Sequence, residues 1–330
     1  MARDIWVSGY QSGNLYRLVA SNNYTVTTYN LKKASVFTTI LDKDKNVICL
    51  TCDGSSKYYL TVLTAESNYT IITDYSIPAS QTKNLATNKD GDVYFGSGAS
   101  LCMASKSNSY SVTSFYQNIT IASLVIAPNK DAWFTDGSYM KRLYHSLASN
   151  NYSNPTYLTT LSQFCYGTTF DKKGNIAVAN EGGSTGSKIS IFNAANNYLR
   201  TDLDFYGDPY NVKFDFNGDL WATGSGGKIS RYSASNLWAK TDYQTSANGM
   251  ISYGIGVDDD NSIWSIQGYD GGTTVSRFLA SNNYSRTDYT VSVSNGGYND
   301  FGDFIGTSLS IMGVLSPKPT AKPQSSYIGM

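Results

Sequence analysis

Histidine and glutamate, which often serve as catalytic acids and bases, are scarce in this chain of 330 residues. It contains one histidine, His145, and two glutamates, Glu66 and Glu181. General acid–base catalysis usually relies on a histidine or carboxyl group whose pKa is shifted within an enclosed site. A Ser-His-Asp triad would also require His145, because there is no other histidine. The positions of these three residues therefore decide whether histidine or glutamate chemistry is open to the protein.

The composition excludes several classes of partner. Lys plus Arg and Asp plus Glu are both 25, so there is no net charge to attract nucleic acid or an anionic membrane. No apolar run approaches the roughly 18 residues that a membrane-spanning helix needs. The opening "MARDIWVSGYQSG" has no apolar core typical of a signal peptide. We expect no nucleic-acid binding, no membrane insertion and synthesis in the cytoplasm.

A short phrase recurs along the chain, as "VASNNYTVTTY", "LASNNYSNPTY" and "LASNNYSRTDYTV". Looser copies fill the intervals at spacings of 40 to 46 residues. The aromatic residue that closes each copy lies at Tyr24, Tyr69, Tyr110, Tyr152, Tyr198, Trp238 and Tyr284. A period of this length without helical periodicity is typical of β-propeller blades. The sequence therefore predicts an all-β, seven-bladed propeller.

A second recurring segment shows how each blade is built. Turns such as "DKKGN", "DFNGD" and "DDDNS" each precede an apolar strand, as a tight hairpin requires. Each blade then reads as four antiparallel strands, A to D from the centre outwards. The chain begins at strand B of the first blade, so we expect a segment within residues 298–312 to supply its strand A. The predicted propeller spans 1–313, and the Pro-rich segment 314–330 forms an extended tail.

The strand order predicts two unlike faces. The A–B and C–D turns share the regular face, here called the turn face, and the variable B–C and D–A loops form the loop face. Five residues before each turn aspartate, near the loop face, four consecutive blades carry a tyrosine. These are Tyr166, Tyr210, Tyr253 and Tyr298. They form a predicted arc at the channel mouth, which would either stack on a ligand or pack blade against blade.

Two other residue classes are interpreted as framework. Tryptophans recur at equivalent strand-B positions and are assigned to the core: Trp6, Trp133, Trp221 and Trp264. The four cysteines include no pattern that completes a zinc site, and we expect buried free thiols at Cys49, Cys52, Cys102 and Cys165.

The blade pattern "FDFNGDLWATGSGGKISRY" resembles the NHL, gluconolactonase and streptogramin B lyase group of propellers. The resemblance implies either a divalent metal held in the channel by Glu, Asn and Asp, or a catalytic histidine near it. This chain departs from both patterns. Glu66 precedes a C–D turn, Glu181 lies in a B–C loop, and His145 lies late on a strand C, towards the turn face. No catalytic residue, metal site or cofactor is therefore assigned.

Three functions remain open. The first is a non-enzymatic propeller within a larger assembly, because the charge-poor, Ser/Thr/Asn/Tyr-rich composition resembles bacteriophage virion proteins. Its partners would be other virion proteins, reached through residues 315–330, and a host-surface glycan. The second is a cytoplasmic metal-dependent lactonase or lyase that uses channel aspartates, with candidates at Asp136, Asp208, Asp270 and Asp300. The third is a soluble glycan-binding lectin that uses the tyrosine arc.

Overall fold

The computed structural model describes residues 4–9, 12–78, 85–136, 142–161, 165–181, 186–245, 251–269, 272–291 and 309–311. These residues form seven antiparallel sheets of four strands each. The innermost strands of successive sheets contact one another in an unbroken circle. The protein is a seven-bladed β-propeller, which confirms the predicted fold class. None of the helices in the described part of the chain is long and apolar enough to cross a bilayer.

Blades 1 to 4 are assembled from the two ends of the chain and its first half. Blade 1 contains β1 (Ile5–Gly9), β2 (Asn14–Val19), β3 (Thr25–Asn30) and β28 (Leu309–Ile311). Blade 2 contains β4 (Ser35–Leu41), β5 (Val47–Cys52), β6 (Tyr58–Leu63) and β7 (Ile72–Ile77). Blade 3 contains β8 (Leu85–Thr87), β9 (Val93–Ser97), β10 (Ser100–Ser105) and β11 (Ser111–Tyr116). Blade 4 contains β12 (Ile121–Ile126), β13 (Ala132–Asp136), β14 (Arg142–Ser146) and β15 (Thr156–Thr160).

The remaining three blades follow in chain order. Blade 5 contains β16 (Cys165–Phe170), β17 (Ile176–Asn180), β18 (Lys188–Asn193) and β19 (Leu199–Asp204). Blade 6 contains β20 (Pro209–Phe214), β21 (Leu220–Gly224), β22 (Lys228–Ser233) and β23 (Ala239–Gln244). Blade 7 contains β24 (Ile251–Val257), β25 (Ile263–Tyr269), β26 (Gly272–Leu279) and β27 (Ser285–Val291).

The two ends of the chain meet in blade 1, as predicted. Strand β28 pairs antiparallel with β1, and Ser310 lies opposite Trp6 in the register. The inner strand of the first blade therefore comes from the far end of the sequence, and it closes the ring between β24 and β4. This pairing covers the edge of β1 that would otherwise be unpaired. The proposed tail, residues 314–330, lies outside the described residues.

The recurring phrase forms the C–D connection of each blade. In most blades it folds as a single turn of 3-10 helix, as at Ala20–Asn22 in blade 1. Two residues with positive φ follow, Asn23 at 47° and Tyr24 at 60°. Asparagine tolerates this left-handed conformation better than most residues, which explains why it recurs at the first of the two positions. The turn directs the aromatic ring inwards, and Tyr24 is 6% exposed.

The A–B turns are stabilised by their own side chains. In blades 2, 3, 5, 6 and 7 the side chain of the first turn residue accepts hydrogen bonds from two backbone N–H groups, as Asp215 does from Asn217 at 2.8 Å and Asp219 at 3.0 Å. In blades 6 and 7 its second oxygen also accepts the indole N–H of the core tryptophan, at 3.0 Å in each case. The turn aspartates therefore form the framework, as the sequence predicted.

Aromatic contacts join each blade to the next. Trp264 of blade 7 packs against Tyr24 of blade 1 with ring centroids 4.8 Å apart, and the guanidinium of Arg277 lies over both rings. Trp6 of blade 1 makes the same contact with Tyr69 of blade 2, at 4.7 Å. The four predicted core tryptophans are at most 3% exposed, and the four cysteines are buried free thiols. Both predictions are confirmed.

The C–D turn of blade 6 carries leucine where most blades carry asparagine, and this difference allows the left-handed strain of the turn to be tested. Leu237 occupies the first left-handed position, with φ 49°, and its side chain is 95% exposed. We expect Leu237→Asn to raise the free energy of unfolding by about 1 kcal/mol, because leucine gains nothing there to offset its left-handed strain. Urea denaturation measures the change.

The matched control is Asn197→Leu at the equivalent position of blade 5, where φ is 51°. It should lower the free energy of unfolding by a similar amount. Equal stabilities for Leu237→Asn and the wild type would show that left-handed strain does not govern this turn.

Candidate functional site

The inner strands contain a β-bulge near the loop face. In five blades the pairing between strands A and B is interrupted here. One residue is skipped in β4, between Val36 and Thr38, and in β12, β20 and β24, whereas two are skipped in β16, between Cys165 and Thr168. The skipped position is the one singled out by the sequence, occupied by Phe37, Ala122, Tyr166, Tyr210 and Tyr253. A bulged residue leaves the regular alternation of the strand, so its side chain can be aimed away from the blade interior. The bulge is therefore the local cause of the predicted site.

Tyr166 and Tyr210 come together between blades 5 and 6. Their ring centroids are 5.4 Å apart and the rings meet edge to face, at 65°. Both side chains are only partly buried. The next residue on β16, Gly167, permits this proximity, because an added Cβ would lie 2.8 Å from the Cα of Asn211. The pair thus presents a half-exposed aromatic surface beside the channel.

A carboxylate completes this cluster. Glu181 follows directly after β17, and its Oε2 accepts a hydrogen bond from the hydroxyl of Tyr166 at 3.0 Å. Burial, reinforced by the charge of Glu181, raises the pKa of Tyr166 well above its usual value. Burial also raises the pKa of Tyr210 to about 12, with smaller contributions from Asp208 and Glu181. Both hydroxyls therefore stay protonated at neutral pH and can donate hydrogen bonds.

Asp208, just before β20, is held by one contact from blade 5 and one from its own blade 6. Its Oδ1 accepts a hydrogen bond from the hydroxyl of Ser187 at 3.1 Å, and its backbone N–H donates to the hydroxyl of Ser225 at 2.7 Å. Gly224 allows this approach, because an added Cβ would lie 2.0 Å from the carbonyl oxygen of Asp208. The channel mouth between blades 5 and 6, here called the mouth, thus combines the tyrosines Tyr166 and Tyr210 with the carboxylates of Glu181 and Asp208.

The structure describes only part of the predicted tyrosine arc. It brings Tyr166 and Tyr210 together, whereas only the backbone of Tyr253 is described and Tyr298 lies outside the described residues. Phe37 is 8% exposed and stacks on Tyr58, so the arc does not extend to blade 2. Sequence reasoning missed the role of Glu181. The available signal was its place directly after a strand B, at the same face as the bulged tyrosines.

The aspartate candidates for a metal site are only partly described. Asp136 ends β13 in blade 4 and Asp208 precedes β20 in blade 6, so blade 5 lies between them. Asp270 and Asp300 are outside the described residues. Within the described ranges, no three His, Cys, Asp or Glu side chains are grouped closely enough to hold a metal ion.

His145 belongs to the framework at the turn face. Its ring stacks on Trp133 with centroids 3.9 Å apart and planes 7° from parallel, and its Nε2 lies 2.9 Å from Oδ2 of Asp131. In the register His145 lies opposite Trp133, as Arg231 lies opposite Trp221 in blade 6. The histidine therefore takes the place of an arginine on the tryptophan of its own blade, and Trp133 in turn packs against Tyr198 of the next blade.

Solved structures with the same fold are numerous. The chain superimposes on a streptogramin B lyase with a TM-score of 0.67 at 15% identity, covering 80% of this chain and 86% of that one. A catalytically inactive His-to-Ala variant of virginiamycin B lyase from Staphylococcus aureus, with quinupristin, gives 0.64 at 17%, with coverages of 78% and 86%. A protein from Lactobacillus plantarum gives 0.70 at 12%, with 95% and 100%. At such identities the likeness establishes the fold alone.

The sequence comparisons found no relative. No protein-family model matches the chain, and no curated protein sequence matches it.

The framework role of His145 can be tested by exchange with arginine. We expect His145→Arg to leave the free energy of unfolding within about 0.5 kcal/mol of wild type, because arginine can stack on Trp133 and pair with Asp131. His145→Ala should lower it by about 1–2 kcal/mol through the lost stacking and hydrogen bond. Urea denaturation measures both variants.

The control is Arg17→Ala, which removes the equivalent side chain in blade 1 and should be destabilising by a similar amount. If His145→Arg proved as unstable as His145→Ala, the equivalence of the two side chains would be wrong.

Proposed function

We propose that this protein is a non-enzymatic binding propeller that takes a glycan at the loop face, on the surface formed by Tyr166 and Tyr210. The observation that carries the proposal is the partly buried tyrosine pair at the bulges, of which Tyr166 donates a hydrogen bond to Glu181. Tyrosine suits sugar binding because its ring stacks on the apolar face of a pyranose while polar groups beside it pair with hydroxyls. Glu181 and Asp208 supply acceptors for such hydroxyls.

The disposition of acid–base groups supports binding without catalysis. The only histidine of the chain is engaged with Trp133 and Asp131 at the turn face, at the opposite end of the blade from the tyrosine pair. In the virginiamycin B lyase that shares this fold, the His-to-Ala variant is catalytically inactive. This chain has no second histidine that could take such a role at the mouth. The metal-dependent lactonase or lyase remains the alternative.

The proposed setting is a bacteriophage virion. It is supported by the charge-poor composition, with 15% charged and 14% aromatic residues, and by the Pro-rich segment 314–330 as an anchor. The loop face would then point outwards, towards a host-surface glycan. A soluble lectin with the same mouth is the alternative within this proposal.

A glycan array with purified protein tests the binding site. We expect Tyr166→Ala and Tyr210→Ala each to weaken binding of the best glycan by about tenfold or more, as loss of a central aromatic contact usually does. The control is Tyr116→Ala, which removes a 71% exposed tyrosine from the outer strand β11 and should bind like wild type. Equal binding by all variants, or no glycan bound by the wild type, would contradict the proposed site.

The virion setting is tested separately, by deleting residues 314–330 from the gene in a phage that encodes the chain. We expect the purified particles to lose the protein, while the truncated propeller keeps the melting temperature of the full chain because every described strand is retained. Unchanged occupancy in the particles would rule out the tail as the anchor. Its absence from particles made with the full chain would rule out the virion setting.

A further inference from the structure

Each inner strand has one residue at an equivalent position near the turn-face end of the channel. It lies two residues before the first residue of each A–B turn, opposite the tryptophan position of strand B. Across the seven blades it is occupied by Ser310, Ile40, Ala86, Val125, Thr169, Lys213 and Gly256. Six of these residues are small or apolar and uncharged. Lys213 alone brings a charge to this ring of positions.

Two observations place the Lys213 side chain inside the channel. Lys213 is exposed to water, whereas its neighbours on β20, Val212 and Phe214, are 1% and 7% exposed and pack into the blades. At the same time, burial lowers the pKa of the Lys213 ammonium below its usual value. A group that water reaches, yet that protein surrounds closely enough to be desolvated, fits the central channel of a propeller. Strand β20 is the innermost strand of blade 6, as this requires.

Lys213 has no counter-ion among the described residues. Other cations that are partly covered by protein are paired: Arg17 with Asp4, Arg231 with Asp219, Arg277 with Asp258 and Lys106 with Asp42. No carboxylate of the described ranges lies within ion-pair distance of Lys213, and no charged group contributes to its lowered pKa. A partly desolvated charge without a partner is unfavourable, and a bound anion would remove this penalty.

We propose that Lys213 forms an oxyanion-binding site inside the channel, which takes a carboxylate or phosphate group of a small ligand. The equivalent positions of the neighbouring blades carry Thr169 in blade 5 and Gly256 in blade 7, so neither brings a long or charged side chain to this level of the channel. A lysine binds such a group as a compact point charge with three N–H donors. This site is on the same strand as Tyr210 but three residues further on, about 10 Å towards the turn face. It does not depend on glycan binding at the mouth.

NMR signals from labelled lysine side chains test the proposal directly. The protein is reductively methylated with ¹³C-formaldehyde, and the dimethyl-lysine signals are recorded during separate titrations with sodium acetate and sodium phosphate at constant ionic strength. The signal missing from Lys213→Met identifies Lys213, and the signal missing from Lys89→Met identifies an exposed turn lysine as the control. We expect a saturable shift at Lys213 and only a small, linear drift at Lys89.

A second measurement avoids the chemical modification. The anion that saturates Lys213 should raise the melting temperature of the unmodified wild type and of Lys213→Arg, and should do so at least about tenfold less potently in Lys213→Met. Saturation by acetate alone would assign a carboxylate ligand, by phosphate alone a phosphate ligand, and by both a general oxyanion. A Lys213 signal that drifts like Lys89, or equal stabilisation of Lys213→Met, would overturn the proposal.

Discussion

In every blade, the side chain of the residue directly before strand B accepts a hydrogen bond from the backbone N–H at the start of the C–D turn. The acceptors are Asp4, Asn46, Asp92, Asp131, Asn175, Asp219 and Ser262, at 2.8 to 3.3 Å. This bond ties the inner hairpin of each blade to its outer hairpin at the turn face. Because the two turns constrain each other, the sequence repeats most faithfully there. In the described part of the loop face, no hydrogen bond of this kind recurs from blade to blade, so its residues can differ between blades.

In the four blades that carry a core tryptophan, the same face also supplies a contact between blades, in which this tryptophan meets the aromatic residue of the next C–D turn. A cation lies over both rings where the blade carries arginine, as Arg17 does over Trp6 and Tyr69 at 5.5 and 4.8 Å. Blade 4 builds the contact with His145 instead. His145, the one histidine of the sequence, is thus part of the contact between blades at the turn face and lies at the opposite end of the blade from the tyrosine pair.

The channel combines two unlike environments on one strand. At the loop face, the bulge of β20 directs Tyr210 towards Tyr166, Glu181 and Asp208, a surface that is aromatic and negatively charged. Deeper in the channel, the regular alternation of β20 resumes, and Lys213 brings an ammonium. A single irregularity in the ladder therefore separates a polar aromatic mouth from a positively charged interior, since it shifts which residues leave the blade.

The sequence by itself determined the blade number, the closure of the ring by residues near 310 and the framework role of Trp6, Trp133, Trp221 and Trp264. These features repeat, and a repeat is visible without coordinates. It also indicated Tyr166 and Tyr210, because their spacing from the turn aspartate is constant. Only the tertiary structure decided that Glu181 bonds to Tyr166, that His145 replaces an arginine, and that Lys213 stands in the channel without a described counter-ion. Each of these depends on contacts that a single blade makes with residues distant in the chain, and such contacts do not repeat with the period of the sequence.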